Sequence, residues 1–305
     1  SMNRSLGERY LEGLSIAKQM ADYADTSNDK GGAAVAHRFY GSLLLFMPDF
    51  ERSKNHLEAA IAAYEKLNSG RLVDEYGHDP KALSLLFLAE LQNYQGFSEQ
   101  SAPLIQEAID HTESLDFPYG LAHAHWLASL RFRDIDDVKN SEKHSTIALT
   151  ISAEKRFPFF ECTCSILSGW ADHRRGKTNS LKKIEQSFNR LESISPGFVP
   201  LLHIDTLIDA LIRESRCDDA QEKILHALSA SDKLGCKFKI PEFLRLKGMC
   251  SLARKDADLH EVEAVFLEAL NHAKIQKTKL WELRIANSLA QLMANRQERQ
   301  KAHDL

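Results

Sequence analysis

The chain has 305 residues, 39 basic against 43 acidic side chains, a formal net charge of −4, and 43% hydrophobic residues. That balance excludes a polybasic nucleic-acid arm as its main device, and no stretch approaches the roughly 18 apolar residues of a membrane span. The five cysteines, Cys162, Cys164, Cys217, Cys236 and Cys250, are too sparse and odd in number for a disulfide framework, which points to a reducing cytoplasm.

Ser1 before Met2 reads as a cloning scar, and no apolar signal core follows it. Residues 5 to 26 then carry one amphipathic helix through Tyr10, Leu11, Leu14 and Ala17, the second half of a truncated pair. From Gly31 onward the helices come in pairs. Apolar positions recur at three and four in Leu57, Ala60, Ile61 and Tyr64, then in Leu104, Ile105, Ala108 and Ile109, and again in Phe266, Ala269, Leu270 and Ala273. No segment alternates with period two as strongly.

The first helix of each pair holds a small or apolar residue near its middle: Gly41, Ala89, Ala128, Gly169, Ile208, Gly248 and Ala290, spaced by 48, 39, 41, 39, 40 and 42 residues. Another small residue follows at the start of each second helix, at Ser53, Ser101, Ser141, Ala220 and Ala264; Ala302 fits the last pair and Leu181 fits poorly. Such residues let two antiparallel helices cross closely while larger ones fill the gaps. Phe117-Pro118, Phe157-Pro158 and Ile240-Pro241 open first helices, because proline's missing donor is unneeded there. Gly96 and Gly176 mark turns within pairs, Pro103 predicts a kink inside a second helix, and Gln297 to Leu305 starts one more second helix. The pairing predicts an all-α, right-handed solenoid of about six helix pairs with partial repeats at both ends, in which neighbours supply one another's cores.

The run Leu85, Leu88-Ala89, Gly96-Phe97, Ser101, Ile105 and Ala108 resembles the loose signature of the tetratricopeptide-repeat (TPR) superfamily, with a period nearer 40 than the usual 34 or so. Four stretches are similar to one group within it: Gly31 to Leu67, Tyr76-Gly77-His78-Asp79-Pro80, Glu242 to Gly248, and Val262 to Leu292. The last has a Glu-Ala-X-Phe-X-X-Ala-Leu core and Leu283-Arg284-X-Ala-X-Ser-Leu-Ala-X-Leu. That group is the TPR-bearing C-terminal region of large bacterial regulators, which join a nucleotide-cyclase or winged-helix output domain to a signal-transduction ATPase and then to the repeats. The resemblance implies that residues 1–305 are a single repeat domain excised from such a protein, with its ATPase and output domain elsewhere.

Catalytic motifs are missing. Gly31-Gly32 lacks the lysine and Ser/Thr of a P-loop, and neither a Gly-X-Ser-X-Gly elbow nor a His-Glu-X-X-His helix occurs. In Cys162-X-Cys164 and His123-X-His125 the two side chains point about 200° apart on a helix, so neither pair chelates a metal. No cofactor or metal is expected. Trp126 and Trp281 read as core residues.

The stripe that faces the concave side of a TPR array carries Arg38 and Ser42; Glu90 and Asn93; His125, Ser129 and Arg133; Trp170, His173 and Arg174; Asp205, Asp209 and Arg213; Arg245; and Arg284, Asn287 and Gln291. Its recurrent arginines suit carboxylates and phosphates. The expectation is a groove for a protein or peptide partner, a neighbouring domain of the same chain, or a small anionic effector, with no direct nucleic-acid or membrane contact. The competing reading is a solvated face whose arginines pair with Glu90, Asp205 and Asp209. The stripe does not match the lysine–asparagine clamp of chaperone-binding TPRs, and Arg174-Arg175-Gly176-Lys177 with Lys182-Lys183 reads as a solvated turn. Two rivals remain: a stand-alone scaffold, and an enzyme with a helical cleft, for which no convergent acid–base pair is found.

Overall fold

The computed structural model describes residues 2–67 and 72–296. A lone helix α1 (Met2–Ala24) precedes the pair α2 (Lys30–Phe46) and α3 (Phe50–Glu65); the short α4 (Leu72–Tyr76) leads to α5 (Pro80–Tyr94) and α6 (Ser98–Ser114). Then come α7 (Pro118–Asp134) with α8 (Val138–Lys155), α9 (Pro158–Arg174) with α10 (Ser180–Ile194), α11 (Phe198–Arg213) with α12 (Cys217–Leu234), and α13 (Ile240–Leu252) with α14 (Leu259–Gln276). Helix α15 (Lys279–Asn295) is the last among the described residues. The architecture is an all-α, right-handed TPR-like solenoid, with six helix pairs between α1 and α15 among the described residues. The final second helix expected over Gln297 to Leu305, with Ala302, lies outside the described residues.

Local chemistry sets the helix ends. The carboxylates of Asp29, Asp49, Asp79, Asp137 and Asp258 cap α2, α3, α5, α8 and α14 by accepting from first-turn backbone N–H groups. Proline opens α5, α7, α9 and α13. Gly96 and Gly176 take φ of 89° and 69° where the chain turns between paired helices. Helix α6 runs unbroken through Pro103, which removes one backbone donor without ending it.

Paired helices cross at the small residues. A Cβ on Gly41 would lie 2.8 Å from Leu57 Cγ, on Gly169 2.8 Å from Ile184 Cγ1, and on Gly248 2.5 Å from Phe266 Cε1. In the third pair the register falls one residue later than expected. Ser129, rather than Ala128, takes the place of Gly41: the Ser129 hydroxyl donates to Ser141 O at 2.8 Å, and the Ser53 hydroxyl donates to Gly41 O at 2.7 Å, both across 12 residues.

The inner helices do not leave an open trough. Phe46 on α2 packs against Phe198 at 4.6 Å and Phe238 at 5.1 Å; Tyr94 on α5 packs against Phe238 and Trp281. Trp126 Nε1 on α7 donates to His203 Nε2 on α11 at 3.2 Å, and Arg284 on α15 donates to Asp134 O at 3.3 Å. Helix α1 contacts both α2 and α12. The superhelical turn therefore closes on itself, and its lumen is filled by side chains.

Candidate functional site

Closure of the lumen sorts the stripe residues into two groups, and the open concave groove expected from the sequence is corrected accordingly. Arg38, Glu90, Asn93, His125, Ser129, Arg133 and Trp170 are all buried. Glu90 and Arg133 face helices of other repeats, whereas Asn93, His125 and Ser129 are engaged by the second helix of their own pair.

Several of these side chains form an ion-paired layer across the lumen. Arg131 meets Glu90 at 2.9 Å, Arg133 meets Asp134 at 2.9 Å and Asp205 at 2.6 Å, and Lys239 meets Asp205 at 2.8 Å. Burial alone would raise the Asp205 carboxyl, but Arg133 and Lys239 hold it well below the usual range. At Glu90 burial dominates and the carboxyl is raised despite Arg131. Of the pairs in the competing reading, Asp205 takes the stripe arginine Arg133 and Asp209 takes Arg213, while Glu90 takes Arg131 from outside the stripe. The Asp205 and Glu90 pairs are interior rather than solvated. Arg131, Glu242 and Lys239 complete this layer and were not singled out in the sequence. The one available signal was Arg131 lying two residues from Arg133 on an otherwise apolar helix.

The remaining buried candidates serve packing or local hydrogen bonds. Asn93 accepts from the Ser101 hydroxyl at 2.8 Å, and His125 Nδ1 faces His144 Nδ1 at 2.8 Å. His173 turns toward Ser180 at 3.0 Å. Arg38 donates to His78 Nε2 at 2.6 Å and lies over the Phe39 ring, and burial lowers its guanidinium to about 9. Trp170 is a core residue with the Arg174 guanidinium 5.5 Å above its ring. Cys162 and Cys164 are packed thiols.

Seven stripe residues do converge. Arg174, Asp209, Arg213, Arg245, Arg284, Asn287 and Gln291 line a crevice of about 430 Å³ at the mouth of the lumen, together with Asp134, Asp136 and the apolar Met249 and Leu283. The arginines come from α9, α11, α13 and α15. Arg174 and Arg213 are the last residues of α9 and α11, where cations complement the helix dipole, whereas Arg245 and Arg284 lie in the first half of α13 and α15. Glu242 grips Arg245 through two hydrogen bonds of 2.8 Å and reaches Arg284 at 3.1 Å. Burial opposes ionisation of Glu242, yet the two guanidiniums hold its carboxyl below the ordinary value.

Arg213 pairs with Asp209 at 2.9 Å and Arg174 with the exposed Asp136 at 2.7 Å. Burial lowers the Arg174 guanidinium, partly offset by Asp209, and its Nε lacks a hydrogen-bond partner. The lining carries four arginines and three aspartates, and Glu242 behind Arg245 and Arg284 balances the fourth arginine. The neighbouring basic run is neutralised: Lys177 and Lys183 pair with Asp172, and Arg175 with Glu142. Among the described residues no group of three or more His, Cys, Asp or Glu side chains is placed to hold a metal ion, and no helix is long and apolar enough to cross a membrane.

An all-helical repeat scaffold with a charged crevice at its lumen defines a TPR-like protein by fold. Comparison with solved structures agrees. The chain is similar to aspartyl phosphate phosphatase F from Bacillus subtilis, at 15% identity over 95% of this chain and 71% of that one, with a TM-score of 0.55. It also matches a Rap protein complexed with competence and sporulation factor, at 12% identity over 96% and 72% of the two chains, with a TM-score of 0.45. No protein-family model and no curated protein matches the sequence. At these identities the likeness is one of fold.

Proposed function

We propose that the chain is a single-domain, non-catalytic binding module of a bacterial signalling regulator, whose arginine crevice takes an acidic peptide, a partner domain or a small anionic effector. The observation that carries this reading is the convergence of Arg174, Arg213, Arg245 and Arg284 on one accessible volume. Arg245 and Arg284 are held in place by Glu242, so their remaining donors are oriented in advance. Arg174 and Arg213 are paired with Asp136 and Asp209, at the mouth, and a ligand carboxylate would exchange with those partners. Guanidinium forks favour such bidentate exchange.

The ligand would touch α7 and α15 together, two helices that meet only because the turn is closed. It can favour the closed turn only by binding it better than an opened one. In a longer regulator that preference would bias an attached ATPase and output domain. The test is calorimetric titration with a short polyglutamate peptide and, as control, a polylysine peptide. Binding of the first alone, weakened about tenfold or more by Arg174→Ser with Arg213→Ser, supports the reading. Unchanged affinity in the folded double variant refutes it.

A further inference from the structure

Four of the five cysteines are buried, and burial pushes the Cys164 thiol up to about 12. Cys217 and Cys250 differ from the others. Cys217 is the first residue of α12 and is partly exposed, whereas Cys250 is buried near the end of α13. The Cys250 Sγ–H donates to Cys217 O at 3.3 Å, which brings its sulfur to the first residue of α12. The Arg254 guanidinium reaches the Cys250 thiol while paired with Asp218 at 2.7 Å. Two thiols and a guanidinium thus meet where the helices cross, and the thiols are free.

We propose that Cys217 and Cys250 form a peroxide-responsive dithiol that closes to a reversible disulfide between α12 and α13. The division of labour follows from position. Cys217 is reachable by solvent at the first residue of α12, with its neighbours Asp218 and Asp219 engaged by Arg254 and Arg216. Cys250 is shielded, and burial raises its thiol, so the oxidant meets Cys217 first.

The Cys217 sulfur attacks one oxygen of hydrogen peroxide, the O–O bond breaks, and sulfenic acid and water result. The Cys250 sulfur then attacks the Cys217 sulfur, the S–O bond breaks, and a second water leaves carrying the displaced hydroxyl and the Cys250 proton. Overall two thiols are oxidised, one peroxide is reduced, and two waters form. The bond would tie the turn just after Arg213 to the residue next to Met249, both lining the crevice. That consequence for binding rests on the proposed function; the disulfide itself does not.

The full chain is exposed to hydrogen peroxide, quenched with iodoacetamide, and mapped by mass spectrometry without reductant. Expected are a mass lower by two hydrogens, one cross-linked peptide joining Cys217 to Cys250, and reversal by dithiothreitol. In Cys250→Ser, Cys217 stops as a sulfenic acid that dimedone traps; in Cys217→Ser, at a partly exposed site, the linkage and the dimedone label are both lost. Full alkylation of both thiols after peroxide overturns the proposal. So does label spread evenly over the five cysteines. Because the readout is a covalent map, it stands even if the crevice binds nothing.

Discussion

Asp205 offers the sharpest perturbation of the closed lumen. Its Oδ2 lies 2.6 Å from Arg133 Nη1 and 2.8 Å from Lys239 Nζ, and all three side chains are buried. Asp205→Asn keeps the shape and removes the charge, leaving two cations facing each other inside the protein. Breaking a buried pair in this way costs about 3–5 kcal/mol, because the surviving charges are desolvated without compensation. Against a typical total of roughly 5–15 kcal/mol this is a large fraction. Solenoids unfold through neighbouring units, so urea unfolding by far-UV circular dichroism should be joined to hydrogen exchange, with the loss concentrated in α7 and α11.

A pH arm checks the cause of that loss. The Asp205 carboxyl is held below its unfolded value near 3.9, so its stabilisation is complete above about pH 4 and is lost as pH falls through the folded value. The variant has no carboxyl to protonate there and should lose less stability on acidification. A cost below about 1 kcal/mol with unchanged exchange in α11 would refute a lumen closed by this network.

Other outcomes follow from single contacts. Gly248→Ala places a methyl 2.5 Å from Phe266 Cε1 and should lower stability by about 1–3 kcal/mol in chemical denaturation; a neutral result would deny the close crossing of α13 and α14. Ser53→Ala and Ser129→Ala each remove a buried hydroxyl that donates across a helix pair, from the second helix in one case and the first in the other, and each should cost about 1 kcal/mol. Unchanged unfolding curves in both variants would contradict these crossing bonds. Burial lowers His125 and His144 each to about 4, so the unfolded chain gains protons there first as pH falls. Stability should fall by up to about 1.4 kcal/mol per pH unit for each histidine between pH 6.5 and 4, and replacing both by glutamine should flatten the profile; an unchanged slope would contradict it.

The repeat architecture was legible because pairing depends on contacts close in sequence. Gly41 over Leu57 and Gly248 over Phe266 lie within one hairpin, and their spacing repeats along the chain. The crevice was legible in part: Arg174, Asp209, Arg213, Arg245 and Arg284 share a stripe that a repeat register can project. Closure of the lumen was not. It depends on contacts such as Arg284 to Asp134 O, 150 residues apart, and Cys236 to Phe46 O, 190 apart, and no periodicity encodes how tightly the superhelix winds. That single unknown moved Glu90 and Arg133 from an expected binding surface into the interior. It also hid Lys239 and Glu242, which lie where α13 begins and have no counterpart in the stripe.

The closed turn can be measured directly by spin labels on Ser98 and Leu283, which line one crevice from opposite parts of the chain. The labels would be introduced as cysteines in a background with Cys217 replaced by serine. A closed lumen predicts strong dipolar broadening from a short, narrowly distributed separation. An open solenoid would instead give unbroadened spectra, and that result would contradict the packed interior and the ligand crevice built upon it.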